Sequence, residues 1–501
     1  MPKLSFLART SLLVGSFFLL DKLLAFVRLS IIARQFRGSV ELLDTFNAAN
    51  NLPDVLFALI SGGALAMAFI PLMSEYITQR DRAAAWDLLS RVANLAFLVT
   101  TSAAVLIALF AQQIVDAEIG IAPGFGEEQR RLLAELMRLN LVGTIIFSIS
   151  GLVMASLQAN QHFLLPALAP TMYNIGQILG AILLVPRFGI HGLVYGVILG
   201  AALHLAVQIP GLVRYHFRWT PALDLRNSGL LEALRLLGPR LLTMAGIQTI
   251  VLARDNLASR LDQVGAVTSL TYGWMIMQVP ETILGTAVAT AMLPTLAELA
   301  AAGQWERFRA TIEKAIRVLI ALTLPIAAII SVGIAPLVRS IFGFDEATSE
   351  LLTWTARAYL LTLTGFCIQE VAARSFYARK EVYFPLYGVI LRLAIFLGLG
   401  ASGVIWFRSM GAPMLAFAEI ALLIESIVLF TWLSRRMHEP LRVSGAVLKG
   451  LLAALIGGGL AWIVAAWLPL SALVSAVAGM IIGGLAAFTV VRREAGLLLQ
   501  L

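Results

Sequence analysis

Apolar residues in this chain come in long blocks, broken by short polar stretches, with little of the alternation a strand would show. The blocks lie near 8–33, 45–74, 91–114, 136–157, 164–186, 190–213, 236–259, 266–296, 315–338, 352–373, 384–407, 411–433, 445–468 and 471–491. Each is about the 20 residues that a helix needs to cross a bilayer. Backbone groups in hydrocarbon must pair within their own segment, so the blocks predict fourteen transmembrane helices. No soluble domain fits between them. The longest polar connection, "RYHFRWTPALDLRNSGLLEALR", is short and can form surface helices. The expected fold class is an all-α polytopic membrane protein.

Two halves of the pattern echo one another. "ASLQANQHFLLPA" matches "RSFYARKEVYFPL", with Ser156, Ala159 and Pro166 recurring as Ser375, Ala378 and Pro385. "LPDVLF…AFIPLMSE" matches "VPETIL…AMLPTLAE", pairing Pro53 with Pro280, Pro71 with Pro294 and Glu75 with Glu298. The offsets are 219, 227, 223 and 223 residues, close to six helices. An even number of spans preserves orientation, so the halves are expected to be parallel repeats. That predicts a first lobe over 1–220, a second over 221–440, and two added helices over 441–501. Two such six-helix lobes around a central cavity form a transporter architecture.

Composition sharpens this picture. The chain has 501 residues, of which 59% are hydrophobic and 13% charged, so lipid must be the solvent for most of it. The apolar blocks continue to the end, which a cleaved signal peptide cannot explain. The net charge of +8 is compatible with nucleic-acid binding, but the basic residues concentrate in the two tails and every second connection. Connections on the opposite side carry fewer and include "FGFDEATSE". Such asymmetry predicts cytoplasmic N- and C-termini in a cytoplasmic, inner membrane, and no nucleic-acid partner is needed. Cys367 is the single cysteine and the five histidines are scattered, so neither a disulfide framework nor a metal site is expected.

Polar residues inside the blocks are the candidate chemistry. In "DTFNAANNLPD", Asp44, Asn47, Asn50, Asn51 and Asp54 fall within an arc of roughly 120° at 100° per residue. Pro53 follows, where a kink would free a backbone carbonyl. Lipid penalises such a stripe, so it is expected to line a wet cavity or to hydrogen-bond neighbouring helices. The first segment carries Asp21, Lys22 and Arg28, with Asp21 and Arg28 two turns apart on one face. Arg28 lacks a close local partner, and its planar fork suits phosphate oxygens. The seventh segment carries Arg254 and Asp255. Adjacent helical residues point about 100° apart, so these two are not expected to pair directly. Asp255 is suited to take up a proton or a cation, or to be a fixed counter-ion to another helix. Gln278 and Glu281 flank Pro280, Glu370 and Arg374 are spaced to pair, and Arg357 and Arg392 are placed to snorkel or pair. Neither G-x-x-x-x-G-K-[ST] nor H-E-x-x-H occurs, so no enzyme is predicted and no cofactor expected. Coupling is left to the membrane potential, a proton gradient or a sodium gradient.

The stretches "LAFVRLSIIARQF", "DTFNAANNLPDVLFALISGGALAMAFIPLMSEY", "FLLPALAPTMYNIGQI", "GLVYGVILGAALHLAVQIPGL", "QVPETILGTAVATAMLPTLAEL" and "SFYARKEVYFP" carry a resemblance over nearly the whole chain. It resembles the lipid II flippase family (MurJ, also called MviN), within the multidrug/oligosaccharidyl-lipid/polysaccharide exporter superfamily. The resemblance implies fourteen helices, two lobes around a cavity, a groove for the lipid tail on the last two helices, and transfer of an undecaprenyl-pyrophosphate-linked peptidoglycan precursor between leaflets. It implies a cavity arginine at Arg28, an essential aspartate at Asp44 and, in some members, a cation-binding carboxylate at Asp255. Leu29, Phe57, Gly62 and Met275 depart from it, the family having an acid, an arginine, a glutamate and a second arginine there. Phe396 and Gly400 stand where further cation ligands are implied. Arg254 lies outside the usual pattern and restores one positive charge.

The reading is therefore a monomeric flippase for lipid II or a related polyprenyl-pyrophosphate glycolipid, working by alternating access among membrane lipids. Its expected substrate-binding residues are Arg28, Asp44, Asn47, Asn51, Asp54 and Arg254, with Asp255 for coupling. The alternatives are a cation-coupled drug exporter of the same superfamily, using Asp44, Asp54 and Asp255, and a non-transporting cell-wall scaffold.

Overall fold

A computed structural model describes residues 6–59, 73, 75–77, 82–223, 228–437 and 439–497. The remainder of the second predicted span, with Gly62 and Pro71, lies outside the described residues. Among the described residues, fourteen helices overlap the fourteen apolar blocks, the second of them only over its first part. They are α1 (Phe6–Gln35), α2 (Val40–Phe57), α3 (Arg82–Leu109), α4 (Glu127–Ala159), α5 (Leu164–Phe188), α6 (His191–Arg214) and α7 (Ser228–Ser259). They continue as α8 (Ala266–Ala301), α9 (Trp305–Phe342), α10 (Glu346–Ala378), α11 (Tyr383–Trp406), α12 (Ala412–Arg435), α13 (Ser444–Trp467) and α14 (Ala472–Ala495). Eleven of them, all but α1, α2 and α7, meet the length and apolarity of a membrane span among the described residues. The chain is a multi-span membrane protein.

The duplication read from the sequence has a structural counterpart. Helices α4 and α10 are each 33 residues long, and they end at Ala159 and Ala378, 219 positions apart. Past each end a non-glycine residue turns left-handed, Gln161 at φ 58° and Lys380 at φ 61°. The His162 amide then donates to the Leu157 carbonyl, and the Glu381 amide to Phe376, both at 2.9 Å. These bonds satisfy carbonyls that a helix end leaves open. The next helices start at Leu164 and Tyr383, again 219 apart. A second echo follows the prolines: wide π-type turns occur at 58–59 beyond Pro53 and at Thr282–Thr286 beyond Pro280.

Two compact units, Met1–Ser259 and Arg260–Leu501, make up the chain. In the first, α7 packs on α2 and α3. Helices α5 and α6 approach most closely, because a Cβ on Gly176 would collide with Gly200, and one on Gly180 with Gly196. Small residues permitting backbone contact are the usual means of helix association in lipid. A wide turn at Gly180–Leu184 interrupts α5, and the Ala181 carbonyl accepts from the Gln35 amide at 2.6 Å. The connection after α6 forms no surface helix over 216–223, which corrects the sequence expectation. Its carbonyls are taken by α3 side chains instead: Trp86 Nε1 donates to Tyr215 at 3.2 Å and Asn94 Nδ2 to Thr220 at 2.8 Å. Pro221 removes one backbone donor from the same stretch.

In the second unit, α13 and α14 pack on each other and on α9. A buried Glu494 fastens them, accepting from Arg317 of α9 at 3.0 Å and Lys449 of α13 at 2.8 Å. Arg374 pairs with Glu370, as its spacing predicts, and also donates to Thr290 at 3.2 Å. Arg357 donates to the Ser331 carbonyl at 2.9 Å and stacks 4.7 Å over Trp354.

Candidate functional site

The polar face of the first unit is built from α1, α2, α5 and α7. On α1, Asp21 accepts from Asn174 Nδ2 of α5 at 2.7 Å and feels the charges of Lys22 and Arg28. Arg28 is half-buried, and its Nε is enclosed without a hydrogen-bond partner. No ion pair within 4 Å holds its guanidinium among the described residues. Its charge nevertheless acts on Asp54 of α2 and on Tyr173 of α5, whose hydroxyl faces Gln177. A guanidinium offers five donors in a fixed fork. One held half in, between two carboxylates and a phenol, with no partner consuming that fork among the described residues, is equipped to receive an oxyanion.

The stripe on α2 is graded along its length. Asp44 and Asn51 are buried, Asn47 and Asn50 half-buried, and Asp54 exposed. The Asn50 amide folds back on its own helix, donating to Phe46 O at 3.0 Å. Thr144 of α4 has its hydroxyl 3.4 Å from Pro53 O, beside the proline break. Of the five stripe residues, Asp54 is the most exposed.

Arg254 and Asp255 bond directly, contrary to the expectation from helical geometry. Arg254 Nε donates to Asp255 Oδ1 at 2.7 Å, while Asn51 Nδ2 donates to Oδ2. The 100° between adjacent Cβ vectors is overcome by the length of the arginine stem, which can curl back round the helix. Asp255 is fully buried, so each oxygen has a donor and the carboxylate is compensated where it sits. Asn51, Asp255 and Arg254 thus join α2 to α7, whereas Arg28 and Asp54 form a separate, more open group with α5.

At Phe57, where the resemblance implies an arginine, the ring packs 5.2 Å from Phe147. Phe147 in turn meets Tyr173 at 5.0 Å and His204 at 5.2 Å. His204 Nδ1 is 2.6 Å from Ser150 Oγ, and Gln208 Nε2 donates to that hydroxyl at 2.9 Å. An aromatic row therefore fills the place of the implied charge. In the second unit Met275 is half-buried and Phe396 fully buried, so neither offers a polar ligand.

Sequence reasoning missed Tyr173, Asn174 and Gln177, although three polar residues within one turn and a half of an apolar block were the signal. It also missed Glu419 and Glu425, two acids in the apolar run "AFAEIALLIES". Arg392 pairs with Glu419 at 2.7 Å, and both are buried.

Comparison with known proteins extends these observations. The family model described as lipid II flippase MurJ matches residues 32–490. The lipid II flippase MurJ of Burkholderia cenocepacia is 27% identical over 448 residues, covering 87% of this chain and 85% of its own. Among solved structures, a lipid II flippase MurJ in an inward closed conformation superposes with a TM-score of 0.79 at 19% identity, over 96% of this chain and 99% of the other. An inward-facing multidrug resistance transporter of the MATE family reaches 0.70 at 16% identity, over 85% and 95%. At these identities the two solved structures establish the fold.

Proposed function

We propose, from the premise that this chain belongs to the lipid II flippase MurJ family, that it moves lipid II across the cytoplasmic membrane by alternating access. The family match over residues 32–490 carries this reading. The guanidinium of Arg28, unpartnered at Nε and without an ion pair among the described residues, supports it chemically, because a pyrophosphate presents acceptor oxygens that its fork can receive. Asp54 is the acceptor for sugar or peptide hydroxyl and amide groups beside it. Asp44, Asn47 and Asn51 hold the helix behind Asp54, and Arg254 with Asp255 ties α2 to α7. No bond is made or broken in the substrate. The chain works as a monomer, with both termini cytoplasmic, and draws on an ion gradient or the membrane potential.

A free arginine among membrane helices is costly, and an arriving diphosphate removes that cost. Substrate binding and a change in helix packing are thereby linked, since a ligand shifts an equilibrium only by its differential affinity for the two states. The test is complementation of a strain depleted of its lipid II flippase. The wild type should restore growth and Arg28→Ala should not, at equal membrane levels. A well-inserted wild type that fails to restore growth overturns the assignment.

A further inference from the structure

Glu425 lies in the middle of α12 and is fully buried. Among the described residues neither carboxylate oxygen is held in good hydrogen-bond geometry, and the neutral Gln369 amide is the donor turned toward it. It sits on the bare backbone of α11, since a Cβ on Gly388 would meet its Oε1 at 3.0 Å. The elements packed on this part of α12 are α10 and α11. From α10 it is faced by the Gln369 amide, from α11 by the Arg392 guanidinium, and from its own helix by Glu419. Arg392 is already committed: its Nη2 donates to Glu419 Oε2 at 2.7 Å, and its guanidinium lies 5.3 Å from the Phe366 ring centre.

Two carboxylates and one guanidinium enclosed in a membrane protein carry an excess negative charge unless one acid holds a proton. Uncompensated charge at such depth is expensive, and a neutral amide such as Gln369 does not offset an ionised carboxylate whose nearest guanidinium is engaged elsewhere. Arg392 can engage one acid fully at a time. Glu419 stands at a one-residue break in α12, where the backbone can yield.

We propose that Glu425 binds a proton within the second unit, and that Arg392 passes between Glu419 and Glu425 as that proton is exchanged. With Arg392 on Glu419, Glu425 is the neutral acid. When Arg392 turns to Glu425, that carboxyl gives up its proton to water and Glu419 takes one up, so the buried group stays neutral in both arrangements. Its use in driving transport rests on the flippase reading above; the proton site itself does not.

The test uses the full chain in lipid nanodiscs, followed by infrared difference spectroscopy as pH is changed. The wild type should show a protonated-carboxyl band that is lost in Glu425→Gln, an isosteric change that preserves packing. In Glu419→Gln, Arg392 is released to Glu425, and the band should titrate about 1–3 pH units lower. A band unaltered by Glu425→Gln, or a titration unmoved by Glu419→Gln in folded protein, overturns the proposal. A lipid II flipping assay on the same samples forms a second arm. Glu425→Gln should flatten the pH dependence of the rate, and an unchanged dependence overturns the exchange as part of the cycle. A wild type with the infrared band but no flipping counts against the lipid II assignment alone.

Discussion

Gln161 and Lys380 hold the same left-handed backbone conformation, at φ 58° and 61°, 219 residues apart along the chain. Each closes the end of a 33-residue helix with the same pattern of amide bonds. Glycine is the usual residue there, since a side chain strains this conformation by about 1 kcal/mol. Replacing Lys380 by Gly should therefore raise the thermal midpoint of the purified protein, and Lys380→Val should lower it. Gln161→Gly and Gln161→Val should behave in parallel, and a divergence between the two sites would show that their turns bear strain differently.

Asp255 is compensated by Arg254 and Asn51 inside the protein. Removing one member of a buried pair strands the other, so Asp255→Leu should cost about 3–5 kcal/mol. The double variant Arg254→Met/Asp255→Leu should recover most of this. Denaturation of the three proteins in detergent checks it. Growth complementation by the double variant then separates a role for Arg254 in transport from its role in packing.

The seam between α5 and α6 depends on absent side chains. Gly176→Ala pushes a methyl group into Gly200 and should destabilise by about 1–3 kcal/mol. Gly484→Ala, with nothing within 4 Å of the added carbon, should be neutral or slightly stabilising. Thermal aggregation profiles of the two variants should differ in sign.

Glu494 fastens α14 to α9 and α13 through charged donors. Hydrogen bonds to charged groups are worth about 1.5–3 kcal/mol each, so Glu494→Ala should loosen the last helix without unfolding the rest. Hydrogen exchange should rise within 472–495 and stay level in α4. A uniform rise would mean that the clamp supports the whole second unit.

Much of the architecture was legible because lipid leaves the chain few choices. Among the described residues the apolar blocks are helical, and the repeat seen in Ser156/Ser375 and Pro166/Pro385 returns as matched helix ends. The polar groups were harder to place. Periodicity puts Asp44 to Asp54 on one face, yet it carries no information about what packs there, and exposure ranges from buried Asp44 and Asn51 to exposed Asp54. Cβ direction separates Arg254 from Asp255, but the long arginine stem overrides it. Asn174 was hidden because its partner is remote in sequence, Asp21 lying 153 positions away, and Glu425 because Gln369 and Arg392, which face it, lie on other helices.

The wide turn at Thr282–Thr286 has a bearing on how α8 is mapped. One additional residue in a helix rotates everything beyond it by about 100° round the axis. Met292 and Leu296, which are buried, therefore occupy a different azimuth from the one a steady heptad count from Ala266 would assign. Deleting a single residue from this turn would restore the even count and swing the distal half of α8, carrying exposed Ala291 and Thr295 and buried Met292 and Leu296 round to new azimuths. Alignments that place a gap there will misjudge which of its side chains share a surface.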